Sequence, residues 1–329
     1  MSISMTPPAA APLFLVKAGW QQARIEPLAG DASFRRYFRV IDGDRKAVLM
    51  DAPPPHEDPR SFIDIAQYLT SHSFAAPQIL AHDLEHGLVL IEDFGDHRMR
   101  EIVDAAPERE RETYRDLMDM MVRLHRIEAA DLPPYDRAAY QREAGLFTDW
   151  YCPAVGIDVD NDGFVAAWDA VLGGVIAAQM PPVTVLRDYH AENIMIIDGG
   201  KRLGLLDFQD ALVGHPAYDI VSMLQDARRD VDPCLEDEML EHYCATAAPR
   251  AGFEDAYWIL GAQRNAKILG IFTRLWKRDG KDHYLGFQTR VWRYLERDLA
   301  HPALAPVKAW FDANVPVEKR AHYWREYSA

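Results

Sequence analysis

The sequence predicts an α+β chain of two lobes, a small β-rich N-terminal lobe over residues 1–95 and a larger, mainly helical C-terminal lobe over 96–329. Three observations point there. Up to Gly95 the apolar residues fall in short runs closed by glycine, aspartate and proline, as in hairpins. After Gly95 they recur at helical spacing in long segments. One compact group of β-type runs, from Val183 to Leu206, interrupts the helical half. Strands gathered first and helices after them give segregated layers, not alternating βα units.

In chain order, residues 1–12 show no period, are expected to be disordered, and carry no basic stretch of the secretory type. Arg39-Val40-Ile41 and Ala47-Val48-Leu49-Met50 read as two strands turned at Asp42-Gly43-Asp44. Pro53-Pro54-Pro55 stops the second strand, because proline has no N–H to give to a ladder. Phe62, Ile65, Ala66 and Leu69 then share one helix face, with Asp58 as N-cap and Pro59 at the first helical position. Ile79-Leu80 and Leu88-Val89-Leu90-Ile91 make a second hairpin. Helices are expected over 109–128, 161–179, 236–247, 255–277 and 284–299. Val183–Leu186, Ile194–Ile197 and Leu203–Leu206 read as strands, the last two turned at Asp198-Gly199-Gly200.

Composition narrows the function. A chain of 329 residues buries a large core without disulfide staples. Lys+Arg 36 against Asp+Glu 51 leaves a formal charge of −15, which opposes non-specific binding to nucleic acid or anionic membranes, since both need phosphates neutralised. A local basic pocket for a nucleotide stays compatible with it. Cys152, Cys234 and Cys244 are too scattered for a disulfide framework and lack zinc-ligand spacing. No apolar run is long enough for a bilayer, so a cytoplasmic enzyme with no obligate protein partner is expected.

The chemistry concentrates between Val183 and Asp207. Asp188 follows an apolar strand, Asn193 lies five residues on, and Asp207 ends the strand Leu203–Leu206. Phosphoryl transfer needs a carboxylate beside the attacking hydroxyl and oxygen ligands for Mg²⁺ on the nucleotide phosphates. Taken singly, an Asp-x4-Asn pair is a turn or a cap. Flanked by apolar runs, a glycine turn and a second aspartate, it supplies all three groups from one stretch of backbone. Arg187-Asp188 echoes the H-R-D motif of kinases, with Leu186 in place of histidine, and Asp207-Phe208-Gln209 echoes D-F-G. The small residues of Gly30-Asp31-Ala32-Ser33, before Phe34, Arg35 and Arg36, let backbone amides approach phosphates, making Ser33, Phe34, Arg35 and Arg36 the nucleotide-binding candidates. Met50 stands where a V-A-I-K strand has its lysine, leaving Lys46, Arg36 or Arg39 to neutralise phosphate. Leu88–Gly95 is an extended apolar connector whose free backbone groups suit an adenine edge, with Glu92 and Phe94 at the hinge.

Asp188 to Asn193, Asp207 and Gly214-His215-Pro216-Ala217-Tyr218-Asp219 together resemble the aminoglycoside phosphotransferase superfamily of small-molecule kinases. Gly30–Phe38, Val48–Pro54 and Gln225–Val231 are similar to the bacterial N-acetylmuramate/N-acetylglucosamine anomeric kinases of cell-wall recycling, a group in which methionine replaces the lysine. The resemblance runs from about Leu28 to Asn314 and implies a bilobal protein-kinase-like fold. It further implies ATP and Mg²⁺, and transfer of phosphate to the C1 hydroxyl of an amino sugar. Asp188 would act on the hydroxyl, Asn193 and Asp207 would hold Mg²⁺, and Asp219 would brace the catalytic loop. Aminoglycoside, choline, homoserine and ketosamine acceptors remain alternatives, as does an inactive nucleotide-binding module.

A sugar site combines an aromatic platform with directed polar groups. The candidates are Trp150, Tyr151, His190, Gln209, Gln225, Asp226, Arg228, Arg264 and Asn265. Trp150 and Tyr151 are more often core or cap residues than ligand contacts, and Arg228-Arg229-Asp230 is as readily a solvated helix end. Gln263-Arg264-Asn265-Ala266-Lys267 inside an apolar helix is harder to dismiss, because buried polar groups need partners. Arg228 and Arg264 are first choice for a lactyl carboxylate. His125, closing an apolar helical pattern, reads as a packing residue.

Overall fold

The computed structural model describes residues 6–28, 35–179 and 181–327. The chain forms two compact units, Met1–Ala105 with Glu192–Asp210, and Ala106–Ala191 with Ala211–Ala329. Among the described residues no helix is long and apolar enough to cross a membrane.

The first unit is built on an antiparallel sheet of β1 (Arg24–Pro27), β2 (Arg36–Asp42), β3 (Arg45–Asp51), β4 (Ile79–Asp83) and β5 (Leu88–Glu92), in the order β1-β2-β3-β5-β4. Side-chain alternation divides its two faces. Phe38, Val40, Ala47, Leu49, Leu88 and Leu90 point to one side, where Phe14 and Leu15 of α1 (Ala11–Lys17) pack with Trp20. Ala11 and Pro12 therefore depart from the disorder expected of residues 1–12: the short apolar stripe of α1 is stabilised by burial on the sheet, which no local pattern reveals. On the other face lie Tyr37 and Met50, directly opposite each other in the β2–β3 register. Helix α2 (Arg60–Ser71) buries Phe62, Ile65, Ala66 and Leu69 as their spacing requires. It begins one residue later than expected, with Pro59 at the cap and the Asp58 carboxylate accepting the Arg60 N–H at 3.0 Å. A short α3 (Met99–Ala105) follows the connector.

The hairpin β7 (Ile194–Ile197) and β8 (Arg202–Leu205) belongs to this first unit, although it lies far along the chain. Leu205 N–H donates to Ala75 O and Ile196 N–H to His97 O, at 2.7 and 2.8 Å. Phe94 closes this attachment. Its ring packs so near Gly204 that a Cβ there would sit 2.7 Å from it.

The second unit is helical. Its helices are α4 (Glu110–Leu124), α5 (Arg137–Ala144), a single turn α6 (Cys152–Ala154), α7 (Asn161–Ala178), α8 (Ala217–Leu224), α9 (Pro233–Ala247), α10 (Phe253–Asp279), α11 (Gln288–Leu299) and α12 (Ala305–Asn314). Asp136, Asp160 and Asp232 cap α5, α7 and α9 with side-chain oxygens. The long α10 is buried along most of its length and serves as the axis. Gly270 lets it approach the turn at Leu146, where a Cβ would lie 2.3 Å from backbone. Phe147–Tyr151 beyond it winds as a π-helix. A two-stranded ladder of β6 (Val183–Val185) and β9 (Leu212–Gly214) frames the segment that carries Asp188.

Candidate active site

In the first unit, hairpin register does most of the positioning. Ile194 pairs with Leu205, and Leu206 N–H donates to Asn193 O at 2.9 Å, so Asn193 and Asp207 emerge side by side at the open end. The Asn193 Nδ2 lies 3.4 Å from Asp207 Oδ2, and Gln209 Nε2 donates to Asp207 Oδ1 at 2.9 Å. Asp207 adopts a left-handed backbone (φ 56°), a region aspartate enters more readily than most residues. Gln209, a candidate for the acceptor, is thus engaged with Asp207, and it also reaches Asp210 at 3.3 Å.

Beside this pair is a cavity of 410 Å³ lined by Arg35, Met50, Glu57, Phe62, Gln209 and Asp210, among others. The Arg35 guanidinium is buried, 3.7 Å from Asp207 and 3.9 Å from Glu57. Burial works against its charge, but Tyr37, Asp207, Glu57 and Asp210 outweigh it and raise its pKa. Arg36 points to the opposite face, where its Nε donates to the buried Asp51 at 2.8 Å. Arg39 is clamped to the connector by Asp93 at 2.7 Å and Asp96 at 2.9 Å. Glu92 accepts the Gln78 N–H at 3.3 Å, and Phe94 packs with Ala75, Met195 and Ile197. Ser33 and Phe34 lie outside the described residues.

In the second unit the loop carrying Asp188 is anchored at both ends. Asp219, in the first turn of α8, is fully buried and accepts the N–H groups of Leu186 at 2.7 Å and Arg187 at 2.8 Å. Ser222, one turn further on the same helix face, donates to Arg187 O at 3.1 Å. Asp226, also fully buried, accepts from Ala191 N–H at 3.0 Å and Arg228 N–H at 2.8 Å. Burial pushes Asp219 up to about 7 against the pull of those two amides and Arg264. It raises Asp226 likewise, opposed by the Arg228 amide and guanidinium. Between the anchors Arg187 takes a left-handed conformation (φ 71°), a strain of about 1 kcal/mol or more for a non-glycine residue. Its guanidinium is bound to Glu143, which also meets Lys267 Nζ at 2.9 Å and the Tyr135 hydroxyl.

His190 stays neutral, its pKa well below 6.5 through burial and the charges of Arg228 and Arg264. Its Nε2 lies 3.0 Å from Arg228 Nη1, which fixes Nε2 as the acceptor. Arg264 is 3% exposed, and its Nη1 has no hydrogen-bond partner among the described residues. Gln225 and Asn265 belong to a sealed network, both donating to Asp298 at 2.9 Å, with Asn265 also donating to Gln225 at 2.8 Å. Tyr151 is a core residue. Its hydroxyl donates to Lys319 O at 2.5 Å and accepts from the indoles of Trp292 and Trp324 at 2.8 Å. Trp150 is half-buried in the π-helical turn.

Residues 24–253 match the model of a phosphotransferase enzyme family. The chain belongs to that family. It is 35% identical to the N-acetylmuramate/N-acetylglucosamine kinase of Caulobacter vibrioides, over 97% of this chain and all of the relative. It is 37% identical to the enzyme of that name from Pseudomonas aeruginosa, over 89% of this chain and 90% of the relative. Among solved structures, the choline kinase of Streptococcus pneumoniae superposes with a TM-score of 0.61 at 12% identity, covering 91% of this chain and 99% of that one. An ADP-bound aminoglycoside phosphotransferase gives 0.56 at 12% identity, covering 88% and 97%. At such identities the likeness is one of fold.

For a phosphotransferase, three groups emerge that the sequence did not single out. Glu57 carried no signal beyond preceding the Asp58-Pro59 helix start. Glu143 sits in a short polar helix, α5, that looks solvated in sequence yet is buried. Ser222 reads as an ordinary helical serine. A buried acid is recognisable only once its cations are seen beside it.

Proposed function

We propose that this phosphotransferase transfers the γ-phosphoryl group of ATP to the C1 hydroxyl of N-acetylmuramate or N-acetylglucosamine, yielding the sugar 1-phosphate for peptidoglycan recycling. The observation that carries the proposal is the 35% and 37% identity, over nearly whole chains, to two kinases of those sugars. In this reading Asp188 orients the sugar hydroxyl and accepts its proton, and the anchors at Asp219 and Asp226 hold it there. Asn193 and Asp207 fit Mg²⁺, which takes one or two protein oxygens and fills its octahedron with water and phosphate oxygens. When bound, the ion neutralises charge on the β- and γ-phosphates.

The acceptor's chemistry is supported from the second unit. A buried guanidinium such as Arg264 needs an acceptor oxygen at Nη1, and the lactyl carboxylate of N-acetylmuramate offers one. Arg228, held to His190, is the second cation of this cluster. Cationic acceptors such as choline would instead need carboxylates facing them. The test is a panel of acceptors with ATP and Mg²⁺ followed by ³¹P NMR. An anomeric phosphate resonance with either amino sugar is the expected result. Turnover of choline or an aminoglycoside alone would overturn it. Arg264→Met should raise KM for N-acetylmuramate by about tenfold or more and leave N-acetylglucosamine near the unmodified enzyme, since a charge-assisted contact contributes about 1.5–3 kcal/mol.

A further inference from the structure

A phosphotransferase of this fold ordinarily reaches the nucleotide's phosphates with a lysine on the third strand, braced by a glutamate of the neighbouring helix. Here that strand position is Met50, fully buried and without charge. The charge must come from elsewhere, and three observations in the first unit locate it.

The first is strand parity. Met50 faces Tyr37 across the β2–β3 ladder, so both project from the same face of the sheet. Arg35 lies two residues before Tyr37, just ahead of β2, and shares that face. Met50 and Arg35 accordingly line the same 410 Å³ cavity. The second is the company Arg35 keeps. It stands 3.9 Å from Glu57, an acid just ahead of α2, and 3.7 Å from Asp207, the proposed metal ligand. These are the two kinds of acid that flank a phosphate-binding lysine. The third is the disposition of the other cations. Arg36 is turned to the opposite face and bound to Asp51, and Arg39 is held by Asp93 and Asp96. Lys46 pairs with Ile41 near the hairpin turn, remote in register from Met50.

We infer that Arg35 is the phosphate-binding cation of this enzyme, displaced from β3 to the entry of β2 and braced by Glu57 in place of a lysine–glutamate pair. The guanidinium suits the part. It keeps its charge in a buried site, and its fork matches two phosphate oxygens where an ammonium offers a point charge. Met50 then serves as the apolar floor over which the guanidinium reaches.

The inference rests on the phosphotransferase reading but not on the identity of the sugar, and its test needs no acceptor. The non-hydrolysable ATP analogue AMP-PNP is titrated calorimetrically with Mg²⁺ into the full chain, and adenosine is followed by saturation-transfer NMR to read the base pocket alone. Arg35→Met should weaken AMP-PNP by about 30-fold, as for loss of a charge-assisted bidentate contact, with adenosine unchanged. Adding Met50→Lys to that variant should recover at least about fivefold of the loss, because it returns the charge to β3. Arg35→Lys, which keeps the charge but loses the fork, should fall between the Arg35→Met variant and the unmodified enzyme. An Arg35→Met protein that binds AMP-PNP within about twofold of the original overturns the inference, as does one that loses adenosine equally.

Discussion

Two clusters of buried charge, one in each unit, are built on opposite plans. In the first unit Arg35 lies 3.7 and 3.9 Å from its acids on the wall of a cavity. In the second, Glu143 is gripped at once by Arg187, by Lys267 at 2.9 Å and by the Tyr135 hydroxyl. The first cluster sets its cation on a cavity wall; the second holds a backbone in a strained conformation. Arg187 has a left-handed conformation one residue before Asp188, and Glu143, Asp219 and Ser222 all hold it there. Buried charge thus borders an open cavity in one place and anchors a strained backbone in the other.

The sharpest break of this comparison is at the residue the tight cluster positions. Asp188→Ala should lower kcat by on the order of 10³- to 10⁴-fold while leaving AMP-PNP affinity within about threefold. A variant that turns over normally would remove Asp188 from the chemistry. Next, Glu143→Ala should destabilise the fold by about 3–5 kcal/mol in urea denaturation, because Arg187 and Lys267 would be left buried without their acid. If that loss is under about 1 kcal/mol, the cluster is not the brace described. Arg36→Ala is the control for the Arg35 cluster. It should cost about 2 kcal/mol of stability by stranding the buried Asp51, yet leave AMP-PNP affinity within about twofold.

The smallest effect concerns pH. Burial lowers His215 to about 4, and its Nδ1 accepts the Ala217 N–H at 3.2 Å, at the start of the helix that carries Asp219. The unfolded chain takes a proton on this imidazole below about 6.5 and the folded chain does not. Its contribution is therefore complete above pH 6.5 and is lost as pH falls toward 4. Between pH 7 and 5 this amounts to about 2 kcal/mol, so His215→Asn, which preserves an acceptor, should flatten the acid limb by that amount. Parallel stability curves for the two proteins would show that His215 does not titrate as described.

Much of this was legible without coordinates. The hairpins around Gly43 and Asp198-Gly199-Gly200, the helix after Pro59, and the long buried α10 follow from period and turn chemistry. Local order also placed Asn193 beside Asp207, because a four-residue hairpin leaves little freedom of register. Elements with too few residues to show a period escaped: β1, β9, α3 and α8. So did α1, whose helix is sustained by contact with the sheet.

What the sequence determined by itself, then, is what short spacing fixes: Asn193 beside Asp207, Asp188 in the loop before them, and a methionine at the lysine position of β3, all within runs where backbone geometry dictates neighbours. The tertiary structure decided which long side chains share a cavity and which are sealed away. It set Arg35 beside Glu57 and Asp207, turned Arg36 to the other face, and enclosed Tyr151, Gln225 and Asn265 in the core. Those outcomes depend on strand parity and on packing between residues far apart in the chain, where a one-residue change of register reverses every side chain and no local pattern records the choice.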